Sequence, residues 1–128
     1  MSTIVAPSVT AGKEALERWE LTGRRASIVA WSSIVGSLGR DELMGAGVDE
    51  AVLIPDSDIV ELVVTPSCDW AGVADSVAAL QSAGWMVTVL TQLASLGEAH
   101  NVLAGTAVSL QGCWRNEAGW RFSPAEIA

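Results

Sequence analysis

The sequence lacks tyrosine and has only two cysteines, one histidine, one phenylalanine and one lysine. Two thiols, Cys68 and Cys113, are too few for the disulfide framework that stabilises a small secreted domain. Residues 1–10 show no basic segment followed by an apolar run, which a secretory signal requires. The longest apolar stretch, residues 27–38, is shorter than the ~20 residues that cross a bilayer. We therefore expect a cytoplasmic protein with no membrane partner.

Positive charge is also missing over most of the chain. No Lys or Arg lies between Arg40 and Arg115, although this interval contains ten of the fifteen acidic residues of a chain with net charge −8. Nucleic acids and anionic membranes are both bound through clustered cations. We therefore expect no nucleic acid among the partners of this protein.

Apolar residues, in contrast, are abundant enough for one folded domain. Half of the 128 residues are hydrophobic and only 17% are charged, a composition that excludes intrinsic disorder. The length fits a single domain. We predict a flexible leader over residues 1–10 and one α/β domain over residues 11–128, mainly helical to residue 47 and sheet-forming from residue 48.

The first half of the chain favours helices. Residues 11–21 follow Thr10, which is a suitable N-cap. The apolar residues of segment 27–38 recur with helical spacing, at Ile28, Trp31, Val35 and Leu38. The β-branched content of the segment favours a strand instead, but the complete apolar stripe makes a helix the prediction. A further helical turn is expected over residues 41–46, ended by Gly47.

From residue 48 onward, short runs rich in Val, Ile and Leu alternate with helical patterns. Strands are predicted at 51–54, 59–65, 85–90, 106–114 and 120–122, and helices at 69–83 and 93–103. The turn at residues 55–58 is too short for a parallel crossover, so the first two strands pair as a hairpin. The fold class is therefore α/β: a mixed sheet of four to six strands with a central βαβαβ unit, terminal hairpins, and N-terminal helices packed on the sheet.

Four segments carry a resemblance to known proteins. They are GVDEAVLIPD, ELVVTPSCDWAGVADSVAALQSAGW, LASLGEAH and GWRFSPAEIA, all within residues 47–128. Over this part, about two-thirds of the chain, the sequence resembles a family of small actinobacterial α/β proteins whose activity is not established. The resemblance implies one α/β domain in a bacterial cytoplasm and adds no catalytic residue.

One candidate ligand site follows from the predicted topology. Ligands of open α/β sheets bind beyond the carboxyl ends of the parallel strands, which here carry Thr65, Ser67, Cys68, Asp69, Thr91 and Gln92. The dipole of the following helix would lower the pKa of the Cys68 thiol. The alternative is that Ser67 or Asp69 only caps this helix and that Cys68 is inert.

Complete catalytic or metal-binding sets are not found. Asp56 and Asp58 resemble the Asp-x-Asp motif of haloacid-dehalogenase-like phosphatases, but the required downstream lysine is missing and Pro55 separates them from the strand. A divalent ion on Asp56, Asp58 and Glu61 has too few ligands to be favoured. His100 is predicted to face the sheet with Leu93, Leu96 and Leu103, and no Cys/His spacing indicates zinc. We therefore expect no catalytic residue, metal or cofactor.

The last predicted hairpin presents Trp114, Arg115, Trp120 and Arg121. Exposed tryptophans beside arginines are typical of interaction hot spots, although stacked Arg–Trp pairs on a free-standing hairpin would have the same composition. We therefore predict a self-associating module, as a homodimer, or one that binds another protein, without catalytic activity. The alternative is small-molecule binding or thiol-based activity around Cys68.

Overall fold

The computed structural model describes residues 11–128, so the predicted leader over residues 1–10 lies outside the described residues. Four α-helices are formed, by Ala11–Leu21 (α1), Trp31–Leu38 (α2), Trp70–Ser82 (α3) and Leu96–Leu103 (α4). Short 3-10 turns occupy Asp41–Ala46, Pro55–Ser57 and Leu93–Ser95. None of these helices is long and apolar enough to cross a membrane.

One sheet contains all seven strands of the described chain. They are Ser27–Ala30 (β1), Val48–Ile54 (β2), Ile59–Val64 (β3), Met86–Gln92 (β4), Ser109–Asn116 (β5), Gly119–Phe122 (β6) and Glu126–Ile127 (β7). The strand order is β1-β2-β3-β4-β5-β6, and β7 pairs with β5 beside β6. The β3–β4 and β4–β5 pairs are parallel and the others antiparallel. The mixed α/β sheet, its βαβαβ unit and both hairpins are confirmed.

Two segments that were not predicted as strands extend the sheet beyond the predicted four to six strands. Segment 27–38, predicted as a helix, begins as β1 and becomes helical only from Trp31. Ile28 and Val29 pair with β2, where their branched side chains suit an extended backbone. At the other end, residues 124–128, for which no element is predicted from the sequence, contribute β7, whose Glu126 and Ile127 pair with the start of β5.

The two faces of the sheet are covered differently. On one face, α2, α3, α4 and the turn Asp41–Ala46 bury a large cluster of apolar side chains that includes Val60, Leu62 and Leu110. We call this the packed face. On the other face, α1 lies over β1 and β2 and joins a smaller cluster. We call this the concave face, because a cavity is formed on it.

Candidate functional site

A crevice lies beyond the carboxyl ends of β3, β4 and β5, where the sequence predicted a ligand site. It consists of two adjoining cavities of about 580 and 380 Å³ that share Gln92, Cys113 and Trp120. The larger cavity is bounded by Leu93, Ala94, Trp114 and Arg115. The smaller reaches Thr65 and the start of α1. We call these two cavities together the carboxyl-end crevice.

The structure divides the six predicted ligand residues instead of gathering them. Thr65 and Gln92 line the crevice. Cys68 packs against the cluster of the packed face. Thr91 is fully buried, and strand alternation places it on the face of Val87 and Val89. The predicted set is therefore not one site, because the chain passes from one face of the sheet to the other between Thr65 and α3.

The remaining two members, Ser67 and Asp69, are exposed. Asp69 occupies the N-cap position of α3, but its side chain makes no capping hydrogen bond. Its backbone N–H instead donates to the carbonyl of Ala46 at 3.0 Å. The side-chain cap offered as the alternative reading of this segment is therefore wrong for Asp69, and the helix start is held by a backbone contact.

The pKa of the Cys68 thiol is raised, whereas the sequence predicts that it is lowered. Partial burial raises its pKa, and the nearby charges of Glu98 and Asp69 raise it further. The prediction of a pKa lowered by the α3 dipole is therefore wrong, since burial and the two carboxylates all disfavour the thiolate. Burial also raises the pKa of Cys113, and both thiols are free.

The predicted interaction residues of the β5–β6 hairpin also have different roles. Arg115 lies over the Trp120 ring, 5.5 Å from its centroid, as its cross-strand partner. Trp120 packs on the concave-face cluster, and its indole Nε1 is buried without a hydrogen-bond partner. Trp114 is 39% exposed and pairs with the exposed Arg121. Trp114 is therefore the surface tryptophan of the hairpin, and Trp120 is a half-buried support.

A second cavity, of about 530 Å³, is not predicted from the sequence. It lies on the concave face and is lined by residues of α1, β3, β4, β5 and the C-terminal segment, and at one end by Gln81 of α3 and by Trp85. Glu61 of β3 contributes to its wall and is only 5% exposed. We call it the concave-face cavity. The signal that could have found it is the single charged residue inside the apolar strand IVELVV.

Glu61 is held in place by a neighbour from another element. The indole Nε1 of Trp19, on α1, donates to Glu61 Oε1 at 2.8 Å. Burial raises the pKa of the Glu61 carboxyl, while this hydrogen bond and the charge of Arg18 partly oppose the rise. In the register of the sheet, Glu61 lies beside Thr88, and Thr88 lies beside Ser109. The three polar side chains form a row across the parallel strands, all lining the concave-face cavity.

The structure does not bring the other candidate metal ligands of the sequence together. Asp56 pairs with Arg25 at 3.2 Å, whereas Glu61 is buried on the sheet, so the two do not form one ion site. Among residues 11–128, no group of three or more His, Cys, Asp or Glu side chains could hold a metal ion. His100 is half-buried and lies 3.3 Å from Glu126 of β7, whereas Leu103 is fully buried and Leu93 is exposed. Helix α4 starts only at Leu96, so the apolar stripe drawn through Leu93 does not exist.

Comparisons with known proteins add no assignment to this geometry. No family model matches the chain, and neither the curated proteins nor the solved structures give a match.

Proposed function

We propose that this protein is an interaction module without catalytic activity, which forms a homodimer through the rim of the carboxyl-end crevice. The observation that carries the proposal is a pair of exposed apolar side chains on the larger cavity: Leu93 is 48% and Trp114 is 39% exposed. Tryptophan is enriched among residues that dominate binding energy at interfaces. A shallow apolar rim of this kind suits a protein surface.

The charges around the crevice favour a second copy of the chain as the partner. Arg115 and Arg121 are the first cations after Arg40, and they lie on the hairpin beside the exposed Trp114. Asp49, exposed on β2, lines the smaller cavity of the same crevice. A two-fold interface requires one self-complementary surface. Cations on one side of the crevice and a carboxylate on the other supply that complementarity.

Sedimentation or size-exclusion chromatography with light scattering, over a wide concentration range, tests the proposal. We expect a concentration-dependent dimer whose dissociation constant rises roughly tenfold or more in Trp114→Ala, since truncating a hot-spot residue costs about 2 kcal/mol. Met44→Ala is the matched control, because Met44 is an apolar residue that is even more exposed, at 52%, on a different surface. A monomer at every concentration, or equal effects of the two variants, would contradict the homodimer.

One observation favours the second candidate function, small-molecule binding in the crevice. Trp120 Nε1 is a buried donor without a partner, and Trp120 lines both cavities. A carbonyl or carboxylate oxygen of a ligand would satisfy it. Titration of the wild type with acetate or acetamide, followed through the indole N–H resonance of Trp120, tests this function. A resonance that does not move would exclude it.

Thiol chemistry has less support than binding. A nucleophilic cysteine acts as its thiolate, and the surroundings of Cys68 raise its pKa. Two free thiols suit a reducing compartment. We therefore place the proposed module in a bacterial cytoplasm, and the resemblance of residues 47–128 supports an actinobacterial source.

A further inference from the structure

The concave-face cavity combines a buried carboxyl group with apolar side chains that remain exposed around it. Glu61 is 5% exposed in its wall. Met86 and Ile127, which also line the cavity, are each 66% exposed. Large apolar side chains are usually covered, and a buried carboxyl group is costly unless it has a partner. Both features are explained by an occupant that supplies an apolar body and a polar group.

We propose that the concave-face cavity binds a small organic cation, whose ammonium group pairs with the Glu61 carboxylate and whose apolar body lies against Trp19, Met86 and Ile127. This site is separate from the carboxyl-end crevice, since it lies toward the opposite ends of β4 and β5, and it does not depend on the proposed dimer.

The hydrogen-bonding groups of the cavity point to a donor-rich ligand. Glu61 accepts a hydrogen bond from Trp19 at Oε1, and an ionised carboxylate has further acceptor sites. Thr88 and Ser109, next to it in the row across the strands, present hydroxyls that accept as well as donate. An ammonium group has three donors and no acceptor. An ammonium group therefore complements this cavity, because the ionised Glu61 carboxylate can only accept hydrogen bonds.

The net charge of the protein also favours a cationic ligand. The net charge of −8 attracts cations toward the protein. Arg18 is the only cation among the described residues that line the cavity. Its guanidinium carbon lies 4.1 Å from the centre of the Phe122 ring, in a cation–π contact. Its charge partly opposes the rise in the Glu61 pKa, so it favours the ionised carboxylate with which an ammonium group pairs.

Three probes with the same ring and different polar groups test the proposal: benzylamine, benzyl alcohol and benzoate, each titrated calorimetrically into the wild-type protein. A charge-assisted hydrogen bond contributes about 1.5–3 kcal/mol, which corresponds to roughly tenfold to a hundredfold in affinity. We expect benzylamine to bind at least tenfold more tightly than the other two. We also expect it to shift the indole N–H resonance of Trp19, which reports on Glu61.

Matched variants connect the binding to Glu61. Glu61→Gln keeps the shape of the side chain and should lower the benzylamine affinity about tenfold or more, whereas Glu98→Gln removes the same charge from the exposed surface of α4 and should leave it unchanged. Met86→Lys places a cation at an exposed position on the cavity and should also weaken binding, without a change in the buried sheet. Met86→Gln is its control.

Several outcomes would overturn the proposal. Absence of benzylamine binding excludes the site, and benzyl alcohol binding as tightly as benzylamine would show that no carboxylate–ammonium pair forms. Equal effects of Glu61→Gln and Glu98→Gln would reduce the binding to general charge attraction. Trp114→Ala should leave benzylamine binding unchanged, so failure of the homodimer and failure of this site are distinguishable.

Discussion

The two faces of the sheet show how one polypeptide divides packing from binding. The packed face is covered by three helices and a 3-10 turn, and the buried residues described there include a large apolar cluster but no charged side chain, Thr91 being polar and uncharged. The concave face is covered by a single eleven-residue helix, contains Glu61 and Gln111 among its buried residues, and carries a cavity of about 530 Å³. Residues that stabilise the fold are therefore concentrated on one face, and polar groups with room for a ligand on the other.

Chain topology explains this difference. The strands β3, β4 and β5 follow one another in the same direction across the sheet, and parallel crossovers are almost always right-handed. Two successive right-handed crossovers in one direction place α3 and α4 on the same face. Among residues 11–128, the opposite face is covered by α1 and by Trp120 and Phe122 of β6, which leave the concave-face cavity open.

Truncation of the packed face should have the largest effect on stability. Leu62 of β3 is fully buried there, so we expect Leu62→Ala to lower the free energy of unfolding by about 3 kcal/mol, from lost burial and the cavity left behind. Its neighbour Val63 points to the concave face and borders the carboxyl-end crevice. Val63→Ala should lower the free energy of unfolding by about 1 kcal/mol. The loss is smaller because Val63 has a smaller side chain than Leu62 and already borders a cavity. Denaturant unfolding measures both, and equal losses would contradict the contrast between the faces.

An added methyl group on the packed side should have the next largest effect. Gly47 has φ +85°, and a Cβ there would lie 2.5 Å from the Cα of Cys68. We expect Gly47→Ala to lower the melting temperature, with a loss of about 2 kcal/mol from the left-handed backbone and the clash. Gly23 has a similar φ of +82° with open space around it. Gly23→Ala should therefore lower the free energy of unfolding by only about 1 kcal/mol. A larger loss at Gly23 than at Gly47 would show that the close contact with Cys68 does not determine the effect.

On the concave face a substitution should stabilise the protein, by the smallest of these amounts. Burial raises the pKa of Glu61 above its ordinary value of 4.5, so the folded chain keeps a proton that the unfolded chain has released. The wild type therefore loses stability as the pH rises from about 4.5 through the folded pKa. Glu61→Gln removes this loss and retains an acceptor for Trp19, so we expect a small gain in the free energy of unfolding at neutral pH.

The pH dependence of that gain is its control. Below pH 4.5 the carboxyl is protonated in both the folded and the unfolded chain, so Glu61→Gln and the wild type should have nearly the same free energy of unfolding. Urea denaturation at pH 4 and at pH 7 measures the difference. A variant less stable than the wild type at pH 7, or a difference that does not change with pH, would show that Glu61 is not a destabilising buried carboxyl.

Local patterns predicted much of the fold. The βαβαβ unit followed from apolar runs alternating with helical stripes, and the hairpin from a turn too short for a crossover. Segment 27–38 was the main error, because Ile28 fits the helical stripe of Trp31, Val35 and Leu38, and only the pairing of Ile28 and Val29 with β2 shows that the segment begins as a strand. The strand of Glu126 and Ile127 was missed for the same reason, since two residues form a strand only where a neighbour offers an edge.

The candidate sites were less accessible to sequence reasoning than the fold. Thr65 and Gln92 were correctly placed at the carboxyl ends of the strands, but Cys68 was assigned to the same site although it packs on the other face. Glu61 was considered only with Asp56 and Asp58, as a weak ion site. Its partner Trp19 is 42 residues away along the chain, and no local pattern indicates such a contact.

The sequence by itself determined the class of fold and the shortage of positive charge, because side-chain periodicity and charge are properties of neighbouring residues. Only the tertiary structure decided which face of the sheet carries an open cavity, that Glu61 is buried beside Trp19, and that burial, together with the charges of Glu98 and Asp69, raises the pKa of the Cys68 thiol. These features depend on residues brought together from distant parts of the chain, and desolvation and charge act through space.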